Sequence, residues 1–528
     1  MKKIQIKLLG ISLLMMMGLL SSCTGDLVQE PESSDAIPGE EFYSNPASYK
    51  QSLAKLYAGF ATTGQQGPAG KPDVSGDEGA SQYIRGLWLM QELTTDEAVI
   101  GWNDGSIKDF HSQTWTDRDS FIKSTFYRIS FQIVNCNEFL RQTTDAKLDA
   151  RGVDAATKAN VKEFRAEVRF LRALSYWHLV DCFGGGSLVT EDSPSDFYYP
   201  AYSTRAELYA FVDSELTAIS ADLKAPKTNE AYRVDQAAAW MLQAKLYMNS
   251  KVYIGTDKYA EALPLINKVI ASPYSIHNNY NQLFFADNDT NGAQNEFIFA
   301  IAFDGLHTQT YGGTTFLTHA PVGGSMDPKA FGINGGWGGI RTTSAFVDKF
   351  PAGNTDTRGK FWTDGQSKDI NNIGSFTDGY AVQKFRNVKV NGAQGSDATG
   401  NFVDIDFPIF RLADAYLMYA ECAVRGSGNL ATATTYVNAL RTRANTTTIN
   451  QTDLSLDFIL DERAREFHFE GQRRTDLVRF GKFTGGSYIW PWKGGVKTGS
   501  PTQSFRDIFP IPADAIVANQ NLIQNPGY

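Results

Sequence analysis

Apolar residues recur at intervals of three and four along most of the chain, and polar residues fill the positions between them. This spacing places the apolar side chains on one face of a helix and predicts a mainly α-helical protein. Polar and glycine-rich segments separate the periodic stretches and mark the helix ends. The pattern predicts helices at about residues 46–60, 119–141, 156–183, 204–223, 235–249, 258–271, 412–425, 429–445 and 455–469.

The most apolar of these stretches lies at residues 161–186. One apolar stripe contains Phe164 and Leu171, and the adjoining stripe contains Phe170 and Trp177. A helix that is apolar over most of its girth is buried among other helices, so this segment is expected at the centre of the fold. Three consecutive glycines at its end are expected to stop it.

A third stripe of the same helix carries Arg165, Arg169 and Arg172. Guanidinium groups on a buried helix need carboxylate partners. A second charged helix near the C-terminus offers Glu462 and Glu466. We therefore expect one of these two glutamates to pair with the arginine stripe.

Several of the predicted helices come in pairs joined by a short turn. Residues 235–249 are followed closely by 258–271, and residues 412–425 by 429–445. Small residues fall where such helices would cross, with large residues between them. This pattern resembles tetratricopeptide hairpins, although the repeat period is irregular.

Two long segments outside the helices are rich in glycine and aromatic residues, at about residues 61–116 and 274–406. Long loops in a compact protein are commonly functional. Loops that also contain many aromatic residues favour an ordered surface, so we expect these two segments to carry the function.

The N-terminus has the pattern of a targeting segment. Lysines lead into an apolar run at residues 8–20, which is too short to span a membrane. The run ends in Leu-Ser-Ser-Cys, which resembles the lipobox of bacterial lipoproteins. It predicts a signal peptide at residues 1–22, lipidation of Cys23 with palmitate-type acyl chains, and a flexible polar tether at residues 23–40. The alternative is an ordinary signal peptide with a chance cysteine.

The composition is that of a globular protein, with 42% hydrophobic and 20% charged residues. The net charge is -9, and no basic block offsets it, which argues against nucleic acid as a partner. Aromatic residues make up 12% of the chain, including 23 Tyr and 9 Trp. These residues give the protein many flat apolar faces on which a ligand could pack.

Three cysteines follow Cys23, namely Cys136, Cys182 and Cys422. Their number is odd, and the chain contains no Cys-x-x-Cys, so neither a disulfide framework nor a zinc site is expected. Each lies in an apolar helical pattern and is predicted to be a small buried residue.

Four segments, in order along the chain, carry a resemblance to a known family: AEVRFLRALSYWHLVDCFGG, FPIFRLADAYLMYAECAVRGSG, ERAREFHFEGQRRTDLVRFGKF and FPIPADAIVANQNLIQNPGY. Together with the lipobox they resemble the SusD/RagB family of outer-membrane glycan-binding lipoproteins, over nearly the whole chain. Within that family the sequence is most similar to the starch-binding founding member. The segments that indicate this are DEGASQYIRGLWLMQELTTDEAV, FFADNDTNG and TYGGTTFL.

The resemblance implies a mainly α SusD-like fold in which four tetratricopeptide-like hairpins form the frame and irregular loops carry the ligand site. It implies a single domain at residues 41–528, no catalysis, and a lipid anchor in the cell outer membrane with the protein exposed at the surface. It also implies that the protein binds oligosaccharide and delivers it to a SusC-like TonB-dependent transporter.

The resemblance also points to individual site residues. Sugar rings pack their C–H faces on aromatic rings, and their hydroxyls need fixed hydrogen-bond partners. In the founding member an arc of aromatic residues and a few polar side chains hold an α-glucan. The matching positions here are Trp102, Trp337 and Tyr311 for the arc, Asp77 and Arg85 for polar contacts, and Asn103 (or Asp104) for a family Asn that falls at Gly105.

Other interpretations of these residues are local packing of the aromatic rings and mutual pairing of Asp77 and Arg85. One position departs from the family pattern, because a second tryptophan of the arc falls at Ile100 here. The resemblance implies starch or another α-glucan as the ligand. The departure at Ile100 counts against an α-glucan, so a β-1,3-glucan of the laminarin type is the alternative. Trp88 and Trp115 are assigned to the core.

Asp287, Asp289 and Asn291 lie in a D-x-D-x-N-G sequence that resembles the start of a calcium loop. The twelfth position is Ile298, so the segment is not an EF-hand, although Glu296 could complete a shorter loop. No cofactor is expected. The founding member of the family holds calcium in about this region, so the resemblance makes a structural calcium ion one interpretation of this segment. The alternative is an Asx-rich turn without metal.

Two functions compete with glycan binding. A surface glycosidase would need two carboxylates about 5 to 10 Å apart across the sugar. The acids near the aromatic residues are Asp77, Glu78, Asp96, Glu97 and Asp104. The other competing function is a protein-interaction scaffold, because tetratricopeptide folds commonly bind peptides.

Overall fold

The structure is a computed structural model that describes residues 39–528 except 75, 352 and 354. The predicted signal peptide, the lipidation site Cys23 and nearly all of the predicted tether lie outside the described residues. Within the described part of the chain, no helix has both the length and the apolar character needed to cross a membrane.

The described chain is mainly helical, as the sequence pattern predicts. Its helices are α1 (Gly39–Phe42), α2 (Ala47–Ala61), α3 (Tyr83–Gln91), α4 (Lys108–Ser112), α5 (Ser120–Gln142), α6 (Asp145–Ala150), α7 (Ala155–Cys182), α8 (Arg205–Ile219), α9 (Gln236–Met248), α10 (Ser250–Ile254), α11 (Tyr259–Ile270), α12 (Gly313–His319), α13 (Ser344–Val347), α14 (Leu412–Val424), α15 (Leu430–Arg443), α16 (Leu456–Phe467), α17 (Arg473–Arg479) and α18 (Ala513–Ala518).

The strands are short and form antiparallel pairs: β1 with β5, β2 with β3, β4 with β8, and β6 with β7. The two longest strands, β4 and β8, pair across the middle of the chain. The strand ranges are β1 (Val99–Ile100), β2 (Gly186–Ser187), β3 (Tyr202–Ser203), β4 (Phe297–Ile301), β5 (Ile340–Arg341), β6 (Phe361–Trp362), β7 (Ala381–Val382) and β8 (Phe407–Arg411).

Helix α7 is the central helix, as its apolar pattern predicts. Asp154 caps its first turn by accepting hydrogen bonds from the backbone N–H of Ala156 at 2.9 Å and of Thr157 at 3.0 Å. Every residue from Phe170 to Cys182 is buried, and α7 packs against α5 and α8. The helix ends where Gly184 adopts a φ of 74°, a conformation that favours glycine.

The expected pairing of the α7 arginines with Glu462 or Glu466 is wrong. Arg169 and Arg172 both pair with Glu215 of α8, with N–O distances of 2.7 Å. Arg165 donates to the backbone oxygen of Leu140. The arginine stripe thus faces α5 and α8, which are its neighbours in the chain.

Glu462 and Glu466 of α16 instead belong to a separate buried ionic cluster. Glu466 pairs with Arg358 at 3.1 Å, with Arg411 at 2.5 Å and with Arg443. Burial alone would raise the pKa of Glu466, but the three guanidinium groups outweigh it and hold this pKa well below its usual range. The cluster joins α16 to β8, to α15 and to the loop before β6.

The predicted helix pairs pack together. Helix α9 packs against α11, α14 packs against α15, and α11 also packs against α14. This arrangement is compatible with tetratricopeptide-like hairpins. One continuous apolar core connects residues from Tyr43 to Ala515.

The assignments of the buried cysteines and tryptophans are confirmed. Cys136, Cys182 and Cys422 are buried free thiols, and Trp88 and Trp115 are buried in the core. Burial raises the pKa of each of the three thiols to about 12. These cysteines are therefore protonated core residues.

Candidate functional site

Three aromatic side chains are brought together from distant parts of the chain by short strands and turns. Trp102 follows β1, and Trp337 precedes β5. Because β1 and β5 are paired, with Gly101 N–H donating to the Gly339 oxygen at 2.9 Å, the two tryptophans become neighbours. Tyr311 precedes α12 and completes the group, which we call the aromatic arc (Trp102, Trp337 and Tyr311).

The rings of the aromatic arc lie in a row with Trp337 in the middle. The ring centroids of Trp102 and Trp337 are 6.2 Å apart at an interplanar angle of 48°, and those of Tyr311 and Trp337 are 6.4 Å apart at 57°. Trp102 and Trp337 are half-buried, and Tyr311 is 39% exposed. The arrangement presents several tilted apolar faces at one surface.

Close packing behind the rings fixes their positions. His319 stacks on Trp337 with centroids 4.8 Å apart, Phe316 meets Trp102 edge-on at 6.0 Å, and Phe402 packs on Tyr311 at 5.3 Å. Burial lowers the pKa of His319, so its imidazole is neutral at pH 7. The sequence interpretation missed these supporting residues, because nothing in their spacing distinguishes them from other core residues.

Arg85, on α3, lies directly beneath the arc. Its guanidinium carbon is 4.4 Å from the centroid of Phe316, and its Nη1 donates to the backbone oxygen of Tyr311 at 3.4 Å. Only 8% of Arg85 is exposed, and burial lowers its pKa to about 10. Its Nε makes no hydrogen bond within the described structure.

The alternative in which Asp77 and Arg85 pair with each other is not observed. Among the described residues no carboxylate lies within ion-pair distance of Arg85, although the charge of Asp77 is near enough to raise the Arg85 pKa slightly against the larger effect of burial. The Asp77 side chain is exposed, and its Oδ1 accepts a hydrogen bond from the Ala80 N–H at 3.0 Å. Both groups therefore keep polar atoms that a ligand could use.

Glu78 holds the loop that carries Tyr311. Its Oε1 accepts from the hydroxyls of Thr63 at 2.5 Å and Thr310 at 2.8 Å, and its Oε2 accepts from the Tyr311 N–H at 3.1 Å. All of these partners come from the two glycine-rich segments. Glu78 is therefore a residue that positions the arc.

The remaining predicted contact lies at the outer edge of the arc. Asn103 follows Trp102 directly and is exposed, and its Oδ1 accepts a hydrogen bond from the Lys108 ammonium. Asp104 is exposed beside it. Ile100, at the position of the family's second tryptophan, is fully buried in β1, so it adds no face to the surface.

Two of the acids required by the glycosidase interpretation lie in the core. Asp96 is buried and paired with Arg473 at 2.7 Å. Glu97 is buried as well, and burial raises its pKa to about 7. Both carboxylates are closed off from the surface, and Glu78 accepts three hydrogen bonds from the protein, whereas Asp77 and Asp104 are exposed.

The side-chain oxygens proposed for calcium are engaged by other groups of the protein. Both carboxylate oxygens of Asp287 accept from the Val390 N–H, at 3.2 and 3.0 Å, and Oδ1 of Asn291 accepts from the Ala293 N–H at 2.9 Å. Glu296 is turned into the ionic cluster, where it pairs with Arg411 at 2.9 Å.

Asp289 is exposed and hydrogen-bonds Thr290. Among the described residues, no group of three or more His, Cys, Asp or Glu side chains is arranged to hold a metal ion. In the described structure this segment is an Asx-rich turn. Oxygens of Asp287 and Asn291 accept from backbone N–H groups, and Asp289 accepts from the Thr290 hydroxyl.

Comparison with known proteins identifies similar sequences and structures. Residues 351–528 match the model of the SusD family. The chain is 36% identical to the starch-binding protein SusD of Bacteroides thetaiotaomicron, over 96% of each protein. A SusD superfamily protein from Bacteroides vulgatus has a TM-score of 0.70 at 18% identity, covering 92% of this chain and 99% of that one. Surface glycan-binding protein A from Bacteroides fluxus has a TM-score of 0.71 at 20% identity, covering 92% and 100%.

Proposed function

The chain belongs to the SusD family, and on that premise we propose that it is a non-catalytic cell-surface protein that captures a neutral glycan. The aromatic arc is the observation that carries this proposal. Three neighbouring rings offer faces to the C–H surfaces of successive sugars, each worth about 1 kcal/mol by analogy with aromatic pairs.

The polar groups around the arc suit sugar hydroxyls. Arg85 supplies donors, including an Nε that makes no hydrogen bond within the described residues, while Asp77 supplies acceptors. The amide of Asn103 supplies donors and an acceptor. Buried polar groups without partners are costly, so a hydroxyl that satisfies Arg85 would contribute to affinity.

We propose a starch-type α-glucan as the ligand, in line with the 36% identical starch-binding relative. A β-1,3-glucan is the alternative, and it rests on the loss of one aromatic platform at Ile100, which is fully buried. An arc with three faces instead of four has less surface with which to follow the curvature of an α-glucan.

The proposed cellular role follows from the N-terminal segment. A signal peptide at residues 1–22 and lipidation of Cys23 would anchor the protein in the outer membrane, and the tether would hold it at the cell surface. We propose that the captured oligosaccharide passes to a SusC-like TonB-dependent transporter.

Affinity electrophoresis in gels that contain starch, laminarin or another neutral polysaccharide tests the proposed function. The protein is expected to be retarded by starch, or by laminarin if the alternative holds. The Trp337→Ala variant is expected to be retarded less than the wild type, because it loses one aromatic face. Phe197→Ala is a matched control, because Phe197 is 86% exposed and lies outside the arc. Retardation by no polysaccharide would contradict the proposal and favour an interaction scaffold.

A reducing-end assay on the same glucans tests the absence of catalysis. No new reducing ends are expected from a non-catalytic protein. Asp96 and Glu97 are buried, and Asp77 and Asp104 are the exposed acids that the assay tests for catalysis. Turnover that persists in a highly purified sample would contradict the proposed non-catalytic role.

A further inference from the structure

A second cleft opens next to the loops that support the aromatic arc. It has a volume of 490 Å³ and lies between α2, α5 and the loops at residues 62–74 and 304–309. This size is within the range of ligand pockets. We call it the amide cleft, because its lining includes the amide side chains of Gln65, Gln66, Gln132, Asn135 and Gln309.

The chemistry of the amide cleft matches that of a neutral glycan. Each amide side chain offers both donors and an acceptor, which is what sugar hydroxyls require. Phe131 is half-buried in the wall, and Leu306, at the rim, is 55% exposed, so apolar faces are present beside the amides. The lining also contains one lysine, Lys55, one aspartate, Asp73, and one histidine, His307, so it has no excess of acidic side chains.

Gln132 is a buried polar side chain that the surrounding protein holds in place in the wall of the cleft. The residue is 1% exposed, and its Nε2 donates to the backbone oxygen of Leu56 at 2.7 Å. Both of its side-chain hydrogen bonds within the described structure involve Nε2, the second being a contact of 4.0 Å with the Cys136 sulfur. A Cβ on Gly59 would lie 2.2 Å from Oε1 of Gln132, so the glycine in α2 makes room for this oxygen.

The amide cleft and the aromatic arc share one supporting frame. Glu78 accepts from Thr63 on the cleft side and from the Tyr311 N–H on the arc side. Arg128 donates from Nη2 to the Thr63 oxygen at 3.1 Å and from Nε to the Ser81 oxygen at 2.8 Å. Gln309 of the cleft is two residues before Tyr311, so their Cα atoms are at most about 7 Å apart.

We propose that the amide cleft binds a further stretch of the same neutral glycan chain that the aromatic arc holds. The proposal rests on the proposed function and extends it to a preference for long chains. A chain that fills both sites gains from the second contact at high effective concentration, whereas a short oligosaccharide occupies the arc alone.

Isothermal titration calorimetry with maltooligosaccharides and laminarioligosaccharides of increasing length tests this proposal. Wild-type affinity is expected to rise when the chain becomes long enough to reach the cleft. Phe131→Ala is expected to lower the affinity for long chains about five-fold and to leave that for short chains unchanged. Ala58→Leu, which narrows the cleft without removing a side-chain hydrogen bond, is expected to act in the same way.

Two control variants separate this proposal from the proposed function. Val134→Ala changes an exposed residue of α5 outside the cleft lining and is expected to bind all chain lengths as the wild type does. Trp337→Ala is expected to weaken binding at every length.

Thermal melting of each variant identifies any that fail to fold. If Phe131→Ala does not fold, Ala58→Leu is the variant that tests the cleft. Wild-type affinity that is independent of length, or cleft variants that match the wild type on long chains, would overturn the amide cleft proposal alone. Wild-type protein that binds no glycan would overturn the proposed function as well.

Discussion

The indole nitrogen of Trp102 donates a hydrogen bond to the backbone oxygen of Trp337 at 3.2 Å, across 235 residues of sequence. The hydrogen bond and the β1–β5 pair fix one ring relative to the other. A ligand that binds a preformed surface does not have to order these side chains. The relationship between the two tryptophans therefore makes the arc a rigid platform.

The first prediction concerns Gly339, where a Cβ would lie 2.2 Å from Cε2 of Trp102. Gly339→Ala should push the indole out of position and lower glycan affinity about five-fold, which is roughly the value of one aromatic face. Gly335→Ala is the matched control, because a Cβ there has nothing within 4 Å. Calorimetric titration checks both, and equal affinities for the two variants would contradict the prediction.

The second prediction separates binding from stability at Arg85. This buried guanidinium has no ion-pair partner among the described residues, so Arg85→Met should leave the melting temperature unchanged or raise it. Glycan affinity should fall about ten-fold, the value of a hydrogen bond from a charged group. Thermal melting and calorimetry on the same sample check the two effects, and a large drop in melting temperature would show that Arg85 is structural.

The third prediction concerns the buried ionic cluster of α16. Glu466→Gln leaves Arg358, Arg411 and Arg443 without one of their carboxylates and should lower the free energy of unfolding by about 3 to 5 kcal/mol. Glu261→Gln, at an exposed position of α11, should change it by less than about 0.5 kcal/mol. Urea denaturation measures both, and a similar small change in each would show that the cluster contributes little.

The fourth prediction is a pH dependence that originates at Asp406. This carboxyl is buried beside β4 and accepts a hydrogen bond from the Phe303 N–H at 2.8 Å. Burial raises its pKa to about 7, and the negative charges of Asp289 and Asp404 contribute to this rise. The folded protein retains a proton that the unfolded chain loses above about pH 4. The free energy of unfolding should therefore fall as the pH rises from about 4 to about 7, and this contribution should be constant above that.

Asp406→Asn removes the group that binds this proton. The free energy of unfolding should then fall less between pH 5 and pH 7 than in the wild type, by up to about 3 kcal/mol. Urea denaturation at several pH values compares the variant with the wild type. A pH profile that is identical in the two proteins would contradict the raised pKa.

The helices could be predicted from the sequence because their apolar periodicity is strong. The pattern places the central helix at residues 156–183, and the structure has it at Ala155–Cys182. Helix α3 was missed because it lies in a glycine-rich segment and all nine of its residues are buried, which leaves no polar face to mark its period. Strands β4 and β8 were missed because their partners are distant in sequence.

The ion pairs could not be predicted, because spacing shows which side chains share a face but not which element covers that face. Arg172 forms an ion pair with Glu215 of the next helix, whereas Glu466 forms ion pairs with arginines from three other segments. The site residues came from the family resemblance, and the structure places Trp102, Trp337, Tyr311 and Arg85 together. Their role in binding stays a prediction.

Calorimetric titration of maltooligosaccharides and laminarioligosaccharides into the wild type and the Trp102→Ala, Trp337→Ala double variant tests the central claim most directly. The wild type should bind at least one of the two series, and the folded double variant should bind it about 30-fold more weakly, because two aromatic faces are lost. A double variant that binds as tightly as the wild type, or a wild type that binds neither series, would contradict the claim that the aromatic arc captures glycan.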